Sequence, residues 1–209
     1  MAEFQLYCFG ESGNSYKPAL MLQCAGLDWQ PKFVDFFNGE TRTPAYREMI
    51  NEMGEAPVLI HGDRKLSQSG VILDYLSEVS GKFAPKNGEE RREILRWILF
   101  DNHKLTGSIA SLRFLVSIAK TGETATTEWL RKRALGALGV VDAHLAPGKF
   151  IIGSRPTIAD FSLCGYLYYG EELPFDMKAF PKVQAWLDAI SKLEGWQHPY
   201  DLMPRKRPA

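Results

Sequence analysis

What this sequence lacks narrows it first. It has no excess of either charge: Lys and Arg number 25, Asp and Glu 25, and the isoelectric point is near 6.9. No overall field draws the chain to nucleic acid or to an anionic membrane, so any ligand is recognised by a local set of groups. Cysteines are few and odd in number, Cys8, Cys24 and Cys164, each isolated in an apolar periodic segment. That spacing is no disulfide framework, and reduced, mostly buried thiols are expected. No stretch approaches the ~18 apolar residues of a membrane span. The opening MAEFQLYCFG reaches Glu3 without a basic region leading into an apolar one, so a cytoplasmic protein is expected.

Several chemistries lack their motifs. His61, His103, His144 and His198 stand singly, with no HExxH, so each reads as a surface or packing residue and no metal is expected. There is no GxGxxG, and Lys17 is followed by proline without the glycine spacing of a Walker loop. The tail MPRKRPA, with Arg205, Lys206 and Arg207, reads as a solvated end. Internal repeats and low-complexity tracts are missing too.

What is present is a chain of 209 residues, 45% hydrophobic, enough to bury a large core or two small ones. Its first part alternates strand and helix patterns: strands at 4–9 and 32–37 around a helix at 15–25, a helix at 44–53, strands at 57–61 and 65–67 flanking the Gly62-Asp63 turn, and a helix at 69–80. This β-α-β-α-β-β-α order predicts an α/β domain over residues 1–81. The stretch GKFAPKNG has no sustained period and marks a linker at 82–88. Beyond it, residues 89–209 read as an all-α domain, a helical bundle. Its helices are expected at 89–120, bent near Gly107, then at 124–146, 158–169 and 182–193. FSLCGYLYYG is apolar nearly all round, so its helix belongs in the middle of that domain. Thr157 and Asp160, three apart before it, have the spacing of a capping box.

Two loops hold residue types suited to chemistry. ESGNSYKP lies between the first strand and first helix, where free N–H groups and the helix dipole favour an anion such as a thiolate. Ser12, Asn14 and Ser15 stand at that helix mouth; they read equally as ordinary cap and turn residues. In GEAPVLIHGDRKLSQSGVILDYL, a proline opens one strand and Gln68 and Ser69 open a helix. If the bond from Ala56 to Pro57 is cis, Ala56 is exposed to a peptide-like ligand. Gln68 and Ser69 suit a carboxylate, or simply an N-cap.

In order, SGNSYKPAL, EAPVL, LSQSGVILDYL and PTIADFSL give the chain a resemblance to the glutathione transferase superfamily over essentially its whole length. The resemblance implies that the first domain is thioredoxin-like, with a cis Pro57. It implies glutathione as co-substrate, its carboxylate on Gln68 and Ser69 and its cysteinyl backbone on Ala56. Thr157 and Asp160 become folding residues. Ser12 falls at the catalytic serine of the Theta and Zeta classes, which leaves Tyr7 to the strand. The Nu-class disulfide-bond reductases show a Thr-x-Asn pattern matched here by Ser12 and Asn14. Departures are Asn51-Glu52, where many members read Asn-Pro, and Glu55, where lysine or glutamine often helps hold glutathione; Glu55 would turn to the ligand's amine or to solvent.

The mechanism so implied is thiolate attack on a small electrophilic substrate. A thiol of pKa about 8.5 is only a few per cent ionised at neutral pH. A two-unit drop needs about 2.7 kcal/mol. A hydrogen bond from Ser12 supplies roughly 1.5 to 3 and the helix end roughly 0.3 to 1 kcal/mol. The second substrate is expected along ILFDNHKLTGSIASLRF, where the resemblance offers Asp101 for the glutathione amine. Phe100, Phe114 and Tyr166 are expected in the core. A homodimer is implied. Disulfide reduction and a non-catalytic binding role are the rival readings.

Overall fold

The structure is a computed structural model and describes residues 2–145 and 149–205. The chain forms two compact units. One holds the described residues up to Ala84 together with those from Leu193 onward; the other is Pro85–Lys192.

The first unit is a four-stranded mixed sheet in the order β2-β1-β3-β4, with β1 Phe4–Cys8, β2 Trp29–Phe33, β3 Val58–His61 and β4 Arg64–Ser67. β1 is parallel to β2 and antiparallel to β3, and β3 is antiparallel to β4. α1 (Gly13–Ala25) makes the crossover between the parallel strands, α2 (Pro44–Met49) precedes β3, and α3 (Ser69–Ser80) follows β4. This is the thioredoxin-like arrangement expected. Phe4, Leu6 and Cys8 alternate inward along β1. α1 and α3 pack together, burying Tyr16, Leu20, Met21, Ile72, Leu73 and Leu76 completely.

Two elements differ from expectation for identifiable reasons. β2 lies three residues earlier than 32–37, because its ladder runs from the pair Phe4 and Trp29 to the pair Cys8 and Phe33, where β1 ends. Pro31 is tolerated because β2 is an edge strand. α2 stops at Met49 rather than 53, since Asn51 takes over the local hydrogen bonds: its N–H donates to Tyr46 O and its Oδ1 accepts from Met53 N.

The end of the chain belongs to this unit, unlike the single helical domain expected to residue 209. Tyr16 Oη donates to Gln197 O (2.7 Å), α9 (Pro199–Leu202) packs on α1, and Gly10 N donates to Pro204 O (2.8 Å). Gly195, at φ +81°, passes so near α1 that a Cβ would lie 2.8 Å from Gln23 O. Arg205 is no solvated end: its Nε donates to Glu11 Oε1 (2.9 Å) and its guanidinium sits 4.0 Å from the Tyr200 ring centroid. Lys206 and Arg207 lie outside the described residues.

The second unit is helical, with no strand among its described residues. The expected 89–120 helix is α4 (Gly88–Phe100) and α5 (Gly107–Arg113), each followed by a widened π-type stretch, Asp101–Thr106 and Phe114–Ile118. The helix therefore departs from α geometry on both sides of α5 rather than bending at Gly107 alone. α6 is Ala125–His144, capped by Thr124 and Thr127; Ala146, the expected last residue, lies outside the described ones. α7 (Ile158–Cys164) is completely buried but shorter than 158–169, because in an all-apolar run periodicity cannot say where the helix stops. α8 is Pro181–Ile190. Tyr166 is buried as expected, whereas Phe114 is 42% exposed.

Asp160 organises this unit. Its Oδ2 accepts from the N–H and hydroxyl of Thr157, and its Oδ1 from Ile151 N and Trp186 Nε1 (2.8 Å each). Burial pushes this carboxyl above its ordinary value, and the donors pull it back. Replacing Asp160 by Ala strands several buried N–H donors, so urea unfolding of that variant is expected to show a loss of about 3 to 4 kcal/mol. A loss under 1 kcal/mol would remove Asp160 from this role.

Candidate active site

The sheet register gathers the sequence-predicted residues of the first unit at one end of the sheet. Tyr7 pairs with Val58, and Val58 with Ser67. The end of β1, the start of β3 and the end of β4 thus stand in one row. The loop to α1, the Ala56-Pro57 step and the turn into α3 all leave from that row.

Ser12 is the N-cap of α1 and buried; its Oγ accepts from Ser15 N (3.1 Å). A hydroxyl has one donor and two acceptor sites, so capping the helix leaves its proton free to donate outward. The cap reading and the donor reading are therefore compatible. Beside it, Asn14 Oδ1 and Ser15 Oγ are buried with no hydrogen-bond partner. Buried polar atoms are nearly always paired, so two unpaired ones on one helical turn make this a candidate place for a ligand. Rotating the Asn14 amide about its last bond exchanges acceptor for donor.

The Ala56-Pro57 bond is cis. The carbonyl just before it is clamped: Glu55 O accepts from Tyr46 Oη and Asn51 Nδ2, both at 3.0 Å. Burial raises the Tyr46 hydroxyl well above its ordinary value, so it stays a donor. Asn51 and Tyr46 were not legible as site residues, since nothing in the spacing links them to Glu55.

Gln68 occupies the N-cap position of α3 with φ +67° and makes no side-chain cap. A non-glycine residue there is held at a conformational cost, a feature that recurs at ligand clamps. Its amide instead donates to Glu55 Oε2 (2.8 Å). The first turn of α3, beginning at the buried Ser69, is thus uncapped by any side chain and offers N–H groups and the dipole's positive end to a carboxylate. The Glu55 carboxylate is exposed close by.

Asp101 does not fit its expected role. It is completely buried in the second unit, its oxygens accepting from Thr106 Oγ1 and Ser162 Oγ at 2.7 Å each. A carboxylate so enclosed serves the helix packing. The protein's own thiols are equally withdrawn: burial pushes Cys8 and Cys24 up to about 12, so neither is a thiolate near neutral pH. Among the described residues no cluster of His, Cys, Asp or Glu is arranged to hold a metal ion.

A thioredoxin-like unit with an uncapped α3, a cis-proline step and a serine at the mouth of α1, in one chain with a helical unit, defines the class of fold. The family description "Glutathione S-transferase, N-terminal domain" matches residues 2–78, and its C-terminal counterpart residues 108–194. A glutathione S-transferase structure from Pseudomonas fluorescens is 30% identical, with TM-score 0.89, covering 96% of this chain and 100% of that one. A possible glutathione S-transferase from Rhodopseudomonas palustris is 33% identical, with TM-score 0.87 and coverage of 94% and 90%. Another family member from Pseudomonas fluorescens, solved with two glutathione molecules bound, is 26% identical, with TM-score 0.77 and coverage of 91% and 88%. The chain belongs to the glutathione S-transferase family.

Replacing Gln68 by Gly separates stability from binding. Relief of the positive φ, less the added chain entropy, is expected to raise unfolding free energy by about 1 kcal/mol. Retention on immobilised glutathione should fall at the same time. A variant that binds as well as the parent would show that the Gln68 side chain takes no part.

Proposed function

We propose that this glutathione transferase ionises the thiol of bound glutathione at the mouth of α1 and directs it at a small electrophile. The observation that carries the reading is the first turn of α1, where Ser12 has a free hydroxyl proton beside the unpaired Asn14 Oδ1 and Ser15 Oγ. The Ser12 hydroxyl donates to the sulfur. The γ-glutamyl carboxylate lies on Ser69 and the open turn of α3, and Glu55, steadied by Gln68, takes the ammonium. The clamped Glu55 carbonyl orients Ala56, whose backbone pairs with the cysteinyl residue. Pro57 shapes that step.

The protein contributes ionisation and orientation, and glutathione the nucleophile. The sulfur's electron pair forms a C–S bond while the leaving group departs with its own pair. The unpaired Asn14 Oδ1 supports a second reading on the same scaffold: attack on a disulfide sulfur, with the displaced thiolate as leaving group. A cytoplasmic detoxification role accords with cysteines held outside any disulfide, Cys8 and Cys164 among them buried, and a nearly neutral chain. None of the described helices is long and apolar enough to cross a membrane. A homodimer would cover exposed apolar residues: Val71 and Val79 on α3, and Leu95 and Leu99, one turn apart on α4.

Substitution of the loop residues tests this. Ser12→Ala is expected to move the pH midpoint of conjugation upward by about 1 to 2 units, the equivalent of one lost hydrogen bond to a charged sulfur. Since a lowered thiol pKa raises the thiolate fraction at every pH below the free thiol's value, the rate deficit should be large at and below neutral pH and shrink as pH rises above that value. An unchanged profile removes Ser12 from the chemistry. If Asn14→Ala alone abolishes turnover of a small mixed disulfide, the reductase reading prevails. No retention of the parent on immobilised glutathione would favour a non-catalytic role.

A further inference from the structure

The returning C-terminal segment closes on the loop that carries Ser12. Gly10 N donates to Pro204 O (2.8 Å), and Arg205 Nε donates to Glu11 Oε1 (2.9 Å). Gly10 makes that approach possible, since a Cβ there would lie 2.8 Å from Arg205 Cγ. From its other side α9 braces the arginine. Tyr200 N donates to His198 Nδ1 (3.3 Å), and the Tyr200 ring centroid lies 4.0 Å from the guanidinium carbon. The completely buried Tyr16 of α1 ties the same segment down through Gln197 O. Within the loop, the bond from Ser12 N to Phe9 O (3.1 Å) spans Gly10 and Glu11.

Charge decides what this arrangement does for the chemistry. Glu11 immediately precedes Ser12, so their Cα atoms are ~3.8 Å apart and its carboxylate lies within roughly 10 Å of anything held by the Ser12 hydroxyl, about a Debye length in dilute buffer. The Glu11 side chain is only 14% exposed, so water screens it poorly. A carboxylate in that place disfavours a thiolate. Asp35 adds a second: Glu11, Asp35 and Arg205 line one cavity of about 390 Å3, whose wall is otherwise Phe9, Phe33, Val34, Phe36, Phe37 and Asn38. Apolar walls strengthen every charge they enclose. Asn38 Nδ2 donates to both oxygens of Asp35 (2.9 and 3.1 Å), which satisfies that carboxylate without cancelling its charge. Lys17 on α1, Lys32 on β2 and Glu55 before β3 stand outside the lining, so the guanidinium is its counterweight.

We infer that Arg205 is a positioning residue for the thiolate: by holding and neutralising Glu11 it keeps that carboxylate's field off the sulfur at Ser12. The inference rests on the glutathione reading above and brings into it a residue 194 positions from Glu11. With Glu11 cancelled, the Ser12 hydroxyl and the α1 dipole set the ionisation unopposed.

The pH titration of the bound thiolate, followed by its ultraviolet absorbance, reads this directly. Arg205→Gln keeps an amide for Glu11 but removes the charge. It is expected to raise the midpoint by about 0.5 to 1 unit, the effect of one partly screened carboxylate ~8 Å from the sulfur. Arg205→Lys, which keeps the charge, should stay within about 0.2 unit of the parent. Adding Glu11→Gln to Arg205→Gln removes the uncancelled carboxylate and should return the midpoint to the parent's value or below it. A displaced loop would not be cured by that second substitution. An unchanged midpoint in Arg205→Gln, or a rise that persists in the double variant, overturns the inference. If glutathione fails to bind the parent, or ionises there no more readily than in free solution, the glutathione reading fails first and this inference falls with it.

Discussion

One register row gathers the candidate site. Because β1 pairs parallel with β2 and antiparallel with β3, the end of β1 meets the end of β2 on one side and the start of β3 on the other. β4, antiparallel to β3, then brings its own end to the same edge. Four connections widely separated in sequence, at residues 9–15, 34–38, 55–57 and 68–69, leave from one end of a single sheet. Slip that pairing by one residue and each side chain changes face. The site is a consequence of strand order first and of residue identity second.

On that frame, individual groups do more than one job. The Ser12 hydroxyl accepts the helix's own N–H and, with that bond made, still carries a proton to donate. Glu55 is held twice, by its carbonyl from Tyr46 and Asn51 and by its carboxylate from Gln68. Gln68 gives up the capping role, leaving α3 open to an anion. Each is an arrangement in which a structural bond leaves a complementary group free, which is how a site is held ready without a moving part.

The local parts of this were legible in the sequence. Strand and helix order, the 69–80 helix and the Thr157-Asp160 box have short-range signals, and the candidate residues of the first unit lie in the turns and helix starts expected for them. What was not legible depends on distant contacts. The end of β2 is set by the length of its partner β1, so the aromatic run after Phe33 read as strand although it forms a cavity wall. Arg205 looked like a solvated terminus because its partner, Glu11, is at the other end of the chain. The resemblance offered Asp101 for the glutathione amine, and only tertiary packing shows it enclosed by Thr106 and Ser162.

The most direct measurement is a crystal structure of the protein with glutathione. The sulfur should stand within hydrogen-bond distance of Ser12 Oγ, with the γ-glutamyl carboxylate over the first turn of α3 at Ser69. A tripeptide bound away from that end of the sheet, or one whose sulfur has no protein donor beside it, would contradict the account.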